Sequence, residues 1–197
     1  MQFHHIRCYN QDPQSLPGKH QNGAVPLDEI HSSDFKSLSK RLFKVEIMFF
    51  VLLYIPYYIY TWDDMIDSNI YQIVLFVLLT MLSMIIKYLS CILFYHDDIY
   101  ICTNLKKLSL LIYSTDTMSK TRFILMNSLP VMLLGLIPYI LGYVYPTHML
   151  LAFVGIFNIS TSIVDICRVY QAITKVPKGA KVYCYQLNYY WYKNSFY

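Results

Sequence analysis

Four long apolar runs alternate with polar segments along this chain. Val45 to Tyr60 is broken only by Glu46 at its edge and Pro56 within. Ile70 to Phe94 is the longest run and contains Lys87. Phe123 to Tyr145 carries Pro130, Gly135, Pro138 and Gly142, and His148 to Ile166 carries Asn158 and Asp165. A membrane-crossing helix needs about 20 mostly apolar residues. The pattern therefore predicts an all-α membrane protein of about four spans, at 45–60, 70–94, 123–145 and 148–166. Proline and glycine inside such spans are tolerated, because neighbouring groups re-satisfy the freed backbone.

The polar intervals complete the layout. Residues 1–40 form a polar N-terminal arm with no apolar core before Leu42, so they do not read as a signal peptide. Ser33 and Asp34 are the candidate caps of an amphipathic lead into the first span. Between the second and third spans, Ile99 to Cys102 and Leu105 to Tyr113 flank the polar pair Thr103 and Asn104, which predicts a small β-hairpin at 99–113. The membrane domain is set at 41–182, and residues 183–197 form an aromatic tail.

Composition agrees with a lipid environment. Of 197 residues, 56% are hydrophobic and only 14% charged. A soluble domain carries about 25% charged residues. Charge also gives the topology. The loop after the first span holds Asp63, Asp64 and Asp67 without Lys or Arg, and the third connection is Pro146 and Thr147, with His148 following. The other segments are basic: Arg7, Lys19, Lys36, Lys40, Arg41 and Lys44 before the first span, then Lys106, Lys107, Lys120 and Arg122, then Arg168, Lys175, Lys178, Lys181 and Lys193. The positive-inside rule places these basic segments, and both termini, in the cytoplasm. Tyr57, Tyr58, Tyr60, Trp62, Tyr143 and Tyr145 then form an outer aromatic belt. Lipid is the expected partner, and nucleic acid is not, since no basic stripe interleaved with aromatics lies on a soluble domain.

The five cysteines, Cys8, Cys91, Cys102, Cys167 and Cys184, are odd in number and form no CxxC pair. Their compartment favours thiols over disulfides. Candidate chemistry lies in polar residues inside the spans, where ionisable groups are costly and seek partners. Ser83, Lys87 and Cys91 recur every four residues on the second span. Asn158, Ser162 and Asp165 share a face of the fourth. Both sets fall in the cytoplasmic halves of their helices, so Lys87 and Asp165 are expected to pair, with separate snorkelling to the interface as the alternative. The cluster His96, Asp97 and Asp98, and the arm residues His4, His5 and His20, read as solvated groups.

The segment Asn158-Ile-Ser-Thr-Ser162-Ile-Val-Asp165, followed by Pro177-Lys178-Gly179-Ala180, resembles the C-terminal motif of a bacterial family of unknown function described as zincin-type membrane peptidases, akin to site-2 proteases. Met118-Ser119-Lys120-Thr121-Arg122-Phe123 through Pro130 also resembles that family's entry into its third span. The similarity in order and spacing covers roughly residues 40–192. It implies paired helices with His-Glu-x-x-His on the second, a short β insertion, and an Asp, here Asp165, as third zinc ligand. This chain departs from it. The second span reads Ile86-Lys87-Tyr88-Leu89-Ser90-Cys91, so Lys87, Tyr88 and Cys91 stand at degenerate catalytic positions. An ammonium repels zinc, and a phenol is a weak base at neutral pH.

Three readings follow. The favoured one is a non-catalytic protein without a metal or other cofactor on a zincin-like scaffold in the bacterial cytoplasmic membrane, binding another membrane protein or peptide segment. The second is a zinc-dependent intramembrane metallopeptidase with unorthodox ligands, Cys91, Asp165 and a third donor such as His96. The third is a small carrier or channel with Lys87 and Asp165 on its path.

Overall fold

In the computed structural model the described residues are 2–7, 13–27, 35–61, 70–104, 109–145 and 149–193. The candidate caps Ser33 and Asp34, the acidic loop with Trp62, Asp63, Asp64 and Asp67, the loop lysines Lys106 and Lys107, Cys8, and the turn Pro146–His148 lie outside them. The chain divides into two units, a helical one (32–89 and 127–167) and a sheet one (1–31, 90–126 and 168–197).

The helical unit is built from α1 (Phe35–Tyr60), most of α2 (Ile70–Leu93), the end of α3 (Lys120–Pro130), α4 (Ile137–Val144), α5 (Met149–Thr161) and the first turn of α6 (Ile163–Lys175). Among the described residues three helices are long and apolar enough to cross a membrane: Leu42–Tyr60, Tyr71–Leu93 and Lys120–Val144. A fourth is reached if α5 and α6, bent by 55° at their junction, count as one span. Only 11% of the α2 span is buried within the protein. The rest presents Leu78, Met81, Ile85 and Leu89 outward, as lipid-facing helices do.

Between α3 and α4 the helix widens into a π-helical turn, Val131–Leu136, where the Ile137 N–H donates to the Met132 carbonyl. Pro138 follows at once; its ring nitrogen has no hydrogen to give to the preceding turn, and such bulges re-register the ladder beside a lost donor. The bulge is packed hard against α5. A Cβ on Gly155 would lie 2.5 Å from the Tyr139 nitrogen and 2.8 Å from the Gly135 carbonyl oxygen. Gly142 meets Ala152 in the same manner. These small residues let the backbones touch, which drives helix association where lipid is as apolar as the side chains. Tyr57, Ala152 and Ile156 form the core of this unit, edged by Phe50, Leu53, Tyr54, Tyr139 and Tyr143.

The sheet unit corrects the all-α expectation: seven short strands form two sheets. β3 (Ile99–Asn104) and β4 (Ser109–Ser114) pair antiparallel, with Ile99 opposite Ser114 and Asn104 opposite Ser109. Thr103 and Asn104, expected as the turn, are paired residues of β3. The N-terminal arm supplies β1 (Phe3–Arg7), parallel to β3. The second sheet has the order β2 (Val25–Pro26), β7 (Asn188–Tyr192), β6 (Lys181–Tyr185), β5 (Thr117–Ser119), all antiparallel. The aromatic tail is thus mostly a hairpin, since Tyr and Trp suit a pleated half-buried surface. Its two-residue turn, Gln186 and Leu187, has positive φ at both positions (49° and 66°), as the twist of a tight hairpin demands.

One face of this sheet closes a core of Leu27, Met118, Phe123, Met126, Ala172, Val176, Ala180 and Val182. Lys120 fixes the end of α6 to it, donating to the carbonyls of Ile173 (3.0 Å) and Val176 (2.6 Å). A cation there satisfies the open carbonyls and complements the helix dipole. Among the described residues no cysteine enters a disulfide.

Candidate functional site

The α5–α6 junction is where polar side chains of the helical unit converge. Ser162 sits in the bend itself, its N–H donating to the Ile159 carbonyl and its carbonyl accepting from the Ile166 N–H. Asp165 follows in the first turn of α6, where the positive end of the helix dipole favours a carboxylate. Across from both, α2 presents Lys87. Its Nζ lies 2.6 Å from Asp165 Oδ2 and donates to Ser162 Oγ at 3.0 Å. The Lys87 and Asp165 side chains keep only 24% and 16% of their exposure. Glu46 of α1 lies within electrostatic range of the same ammonium. The centre is one ammonium held by a carboxylate and a hydroxyl.

The remaining candidates are placed differently. Asn158 is buried, and its side-chain amide donates to the Val154 carbonyl at 2.8 Å, back along its own helix. Ser83 does the same to the Thr80 carbonyl (2.8 Å), and Thr80 to that of Val77 (2.9 Å). Both stay buried by satisfying themselves locally. Tyr88 is 46% exposed. Cys91 belongs to the sheet unit, where it packs against the core around Phe123.

A second polar cluster sits in the sheet unit and was not singled out as a unit by sequence. Arg122, on the first turn of α3, brings one terminal nitrogen to Asp116 Oδ2 (2.6 Å), to His96 Nδ1 (2.7 Å) and to the Phe94 carbonyl. The His96 backbone N–H donates to the same Asp116 oxygen at 2.9 Å. Asp116 is buried, so the guanidinium neutralises a carboxylate that could not stand alone. Asp98 faces the arm instead: its carboxylate accepts from the Gln2 N–H at 3.1 Å and lies 3.5 Å from His4 Nε2. His20 packs among Tyr183, Tyr185 and Tyr190. Burial raises the ionisation of Tyr95, Tyr113 and Tyr183 above the usual phenol value, and raises the Cys102 thiol likewise.

A zinc centre needs three or four imidazole, thiolate or carboxylate donors. Among the described residues no three His, Cys, Asp or Glu side chains are grouped so as to hold a metal ion. At the α5–α6 junction the carboxylate of Asp165 is engaged by an ammonium, which has no lone pair to offer. The donor set there does not fit zinc. No glutamate occurs after Glu46, so none stands in the turn of α2 that holds Lys87.

No curated protein and no solved structure matches the chain. A family model does, across residues 76–181, a segment that holds Lys87, Ser162 and Asp165 together with both strands of the hairpin. That match covers more than half of the sequence, and the segment contains no His-Glu-x-x-His. By this match the chain belongs to the family described as "Putative zincin peptidase".

Proposed function

We propose that this protein is a non-catalytic, membrane-embedded member of its family in which a tethered ammonium stands in for a metal ion. The observation that carries the reading is the 2.6 Å contact between Lys87 Nζ and Asp165 Oδ2. Asp165 is the position that matches the family's third ligand, and Lys87 falls in the helical turn where the family's histidines belong. A positive charge at this point does what the metal's charge would do for Asp165, offsetting the cost of a carboxylate among apolar helices. It cannot polarise a carbonyl or activate water, which is what a catalytic zinc supplies. The glutamate that would act as general base in a His-Glu-x-x-His turn is absent from α2.

The remaining scaffold retains a use. A fold that receives a peptide segment in the bilayer can bind one without cutting it, so a membrane protein or peptide segment is the proposed partner. The termini are assigned to the cytoplasmic side of a bacterial membrane, on the strength of the basic segments that flank the spans.

Metal analysis of the detergent-purified protein tests this directly, with Asp165→Ala measured alongside. The expected result is no stoichiometric zinc in either sample. Stoichiometric zinc that disappears with Asp165→Ala would overturn the reading and indicate a peptidase centre with unorthodox ligands.

A further inference from the structure

α6 carries an apolar stripe of exposed residues. Its inward side is spent on the sheet-unit core: Ala172 is fully buried, and Val176, just past the helix, nearly so. Ile166, Tyr170 and Ile173 follow one another at intervals of four and three residues, and so share one stripe. They are 36%, 67% and 56% exposed. Single exposed apolar residues are ordinary on any surface. Three in line on a helix whose other exposed residues are Cys167, Thr174 and Lys175 are a directed face.

Two further observations say what covers that face. The stripe is continuous with a membrane segment, because α6 leaves the apolar helix α5 through a 55° bend at Ser162. Alone, α5 has 13 residues, or about 20 Å of helix at 1.5 Å per residue, against a hydrocarbon core of about 30 Å. The first turns of α6 therefore begin inside the apolar layer and run obliquely toward its edge. The second observation is charge. After Asp165 the chain holds Arg168, Lys175, Lys178, Lys181 and Lys193 and no acidic residue. Lys175, Lys178 and Lys181 are exposed at and beyond the end of α6. A stripe of three residues is far smaller than the roughly 800 Å² per partner of a stable protein interface. Its length and its basic end suit a bilayer surface, where amphipathic helices place apolar residues at the acyl boundary and lysines at anionic headgroups.

We propose that α6 is an interfacial helix that binds anionic phospholipid, with Ile166, Tyr170 and Ile173 in the acyl–headgroup boundary and Lys175, Lys178 and Lys181 on the headgroups. The inference is independent of whether the Lys87–Asp165 centre is catalytic.

The test uses full-length protein in nanodiscs, with Tyr170→Trp and Lys178→Trp compared against the native Trp62 and Trp191 background. Lipids brominated high on the acyl chain should quench the added emission of Tyr170→Trp by about two-fold and leave that of Lys178→Trp nearly unchanged. Replacing phosphatidylcholine by phosphatidylglycerol should slow amide exchange over residues 166–175 by about three-fold or more. Lys175→Gln, Lys178→Gln and Lys181→Gln together should remove that lipid dependence. A Tyr170→Trp emission open to aqueous quencher and untouched by bromolipid would overturn the proposal. So would emission shielded from both quenchers, which would mean a protein covers the stripe. Exchange that is indifferent to the lipid charge would overturn the headgroup assignment.

Discussion

Breaking the Lys87–Asp165 pair should cost much more when one partner is removed than when both are. Lys87→Met takes from the Asp165 carboxylate its cation at 2.6 Å and leaves it at the N-terminus of α6. Asp165→Asn leaves the ammonium with Ser162 Oγ (3.0 Å) and the more distant Glu46. Uncompensated charges in fully buried pairs cost about 3–5 kcal/mol, and exposed pairs are worth about 0–1 kcal/mol. With 24% and 16% of the side chains still exposed, each single variant should lose about 2–3 kcal/mol, toward the buried limit. The double variant Lys87→Met/Asp165→Asn removes both charges while keeping shape, and should lie within about 1 kcal/mol of the parent. The expected coupling is therefore about 3 kcal/mol or more. Reversible unfolding in mixed detergent micelles, followed by circular dichroism as the denaturing detergent fraction rises, measures all four corners of the cycle. Additive single effects, with coupling under about 0.5 kcal/mol, would refute the argument. They would mean that the two groups reach separately for water at the interface, and that the charge balance assigned to this centre is not what holds it.

Other perturbations read other parts of the chain. Gly155→Ala places a methyl 2.5 Å from the Tyr139 nitrogen and 2.8 Å from the Gly135 carbonyl, both backbone atoms that cannot swing aside. A loss of about 3 kcal/mol in the same unfolding assay is expected, near the upper end for overpacking. Arg122→Met strands the buried carboxylate of Asp116, and should cost about 3 kcal/mol and loosen the sheet unit first, seen as faster amide exchange over 94–119. Burial raises the phenols of Tyr95, Tyr113 and Tyr183 in the folded protein, so the unfolded chain loses those protons first as pH rises. Their stabilising contribution is whole below the ordinary phenol value of about 10 and is lost above it as pH climbs through the folded values. Unfolding midpoints should therefore fall steeply above about pH 10, and less steeply in Tyr95→Phe. An equal fall in both would contradict the assignment.

The spans were legible because their signal is local: a run of apolar residues long enough for a bilayer depends on nothing else in the chain. The hairpin at 99–114 was legible for the same reason. The second sheet was not. Its strands come from Val25–Pro26, Thr117–Ser119 and the tail, so outside the tail hairpin its pairings join segments 62 to 166 residues apart, and β2 and β5 are too short to show alternation. The tail did carry a signal, in Lys181–Tyr185 and Asn188–Tyr192 about a two-residue turn. It was masked because Gln186-Leu187 lacks the Asn-Gly type of pair that marks such turns, and because Tyr-rich segments near spans read equally well as interfacial belts. At the candidate site, spacings of four and three residues put Ser83 with Lys87, and Ser162 with Asp165, on shared helix faces. Spacing alone could not separate the partners from the bystanders: Ser83 and Asn158 turn back to their own helices. The spacings did not bring in Glu46, which lies within electrostatic range of Lys87 from another helix.

The bend at Ser162 explains why a single lysine can serve this site. Were α5 and α6 one straight helix, Ser162 and Asp165 would present their side chains along one axis, three residues apart. The 55° change of direction opens the junction, exposes the dipole of α6 at its N-terminus, and lets the Ser162 hydroxyl and the Asp165 carboxylate both reach one ammonium. Such a corner is a place to hold a positive charge from two sides, with the helix dipole as a third contribution. A metal ion with further ligands on α2 would use the corner in the same way. In the proposed reading, a lysine in place of such ligands keeps a positive charge at the junction without the chemistry that a metal would supply.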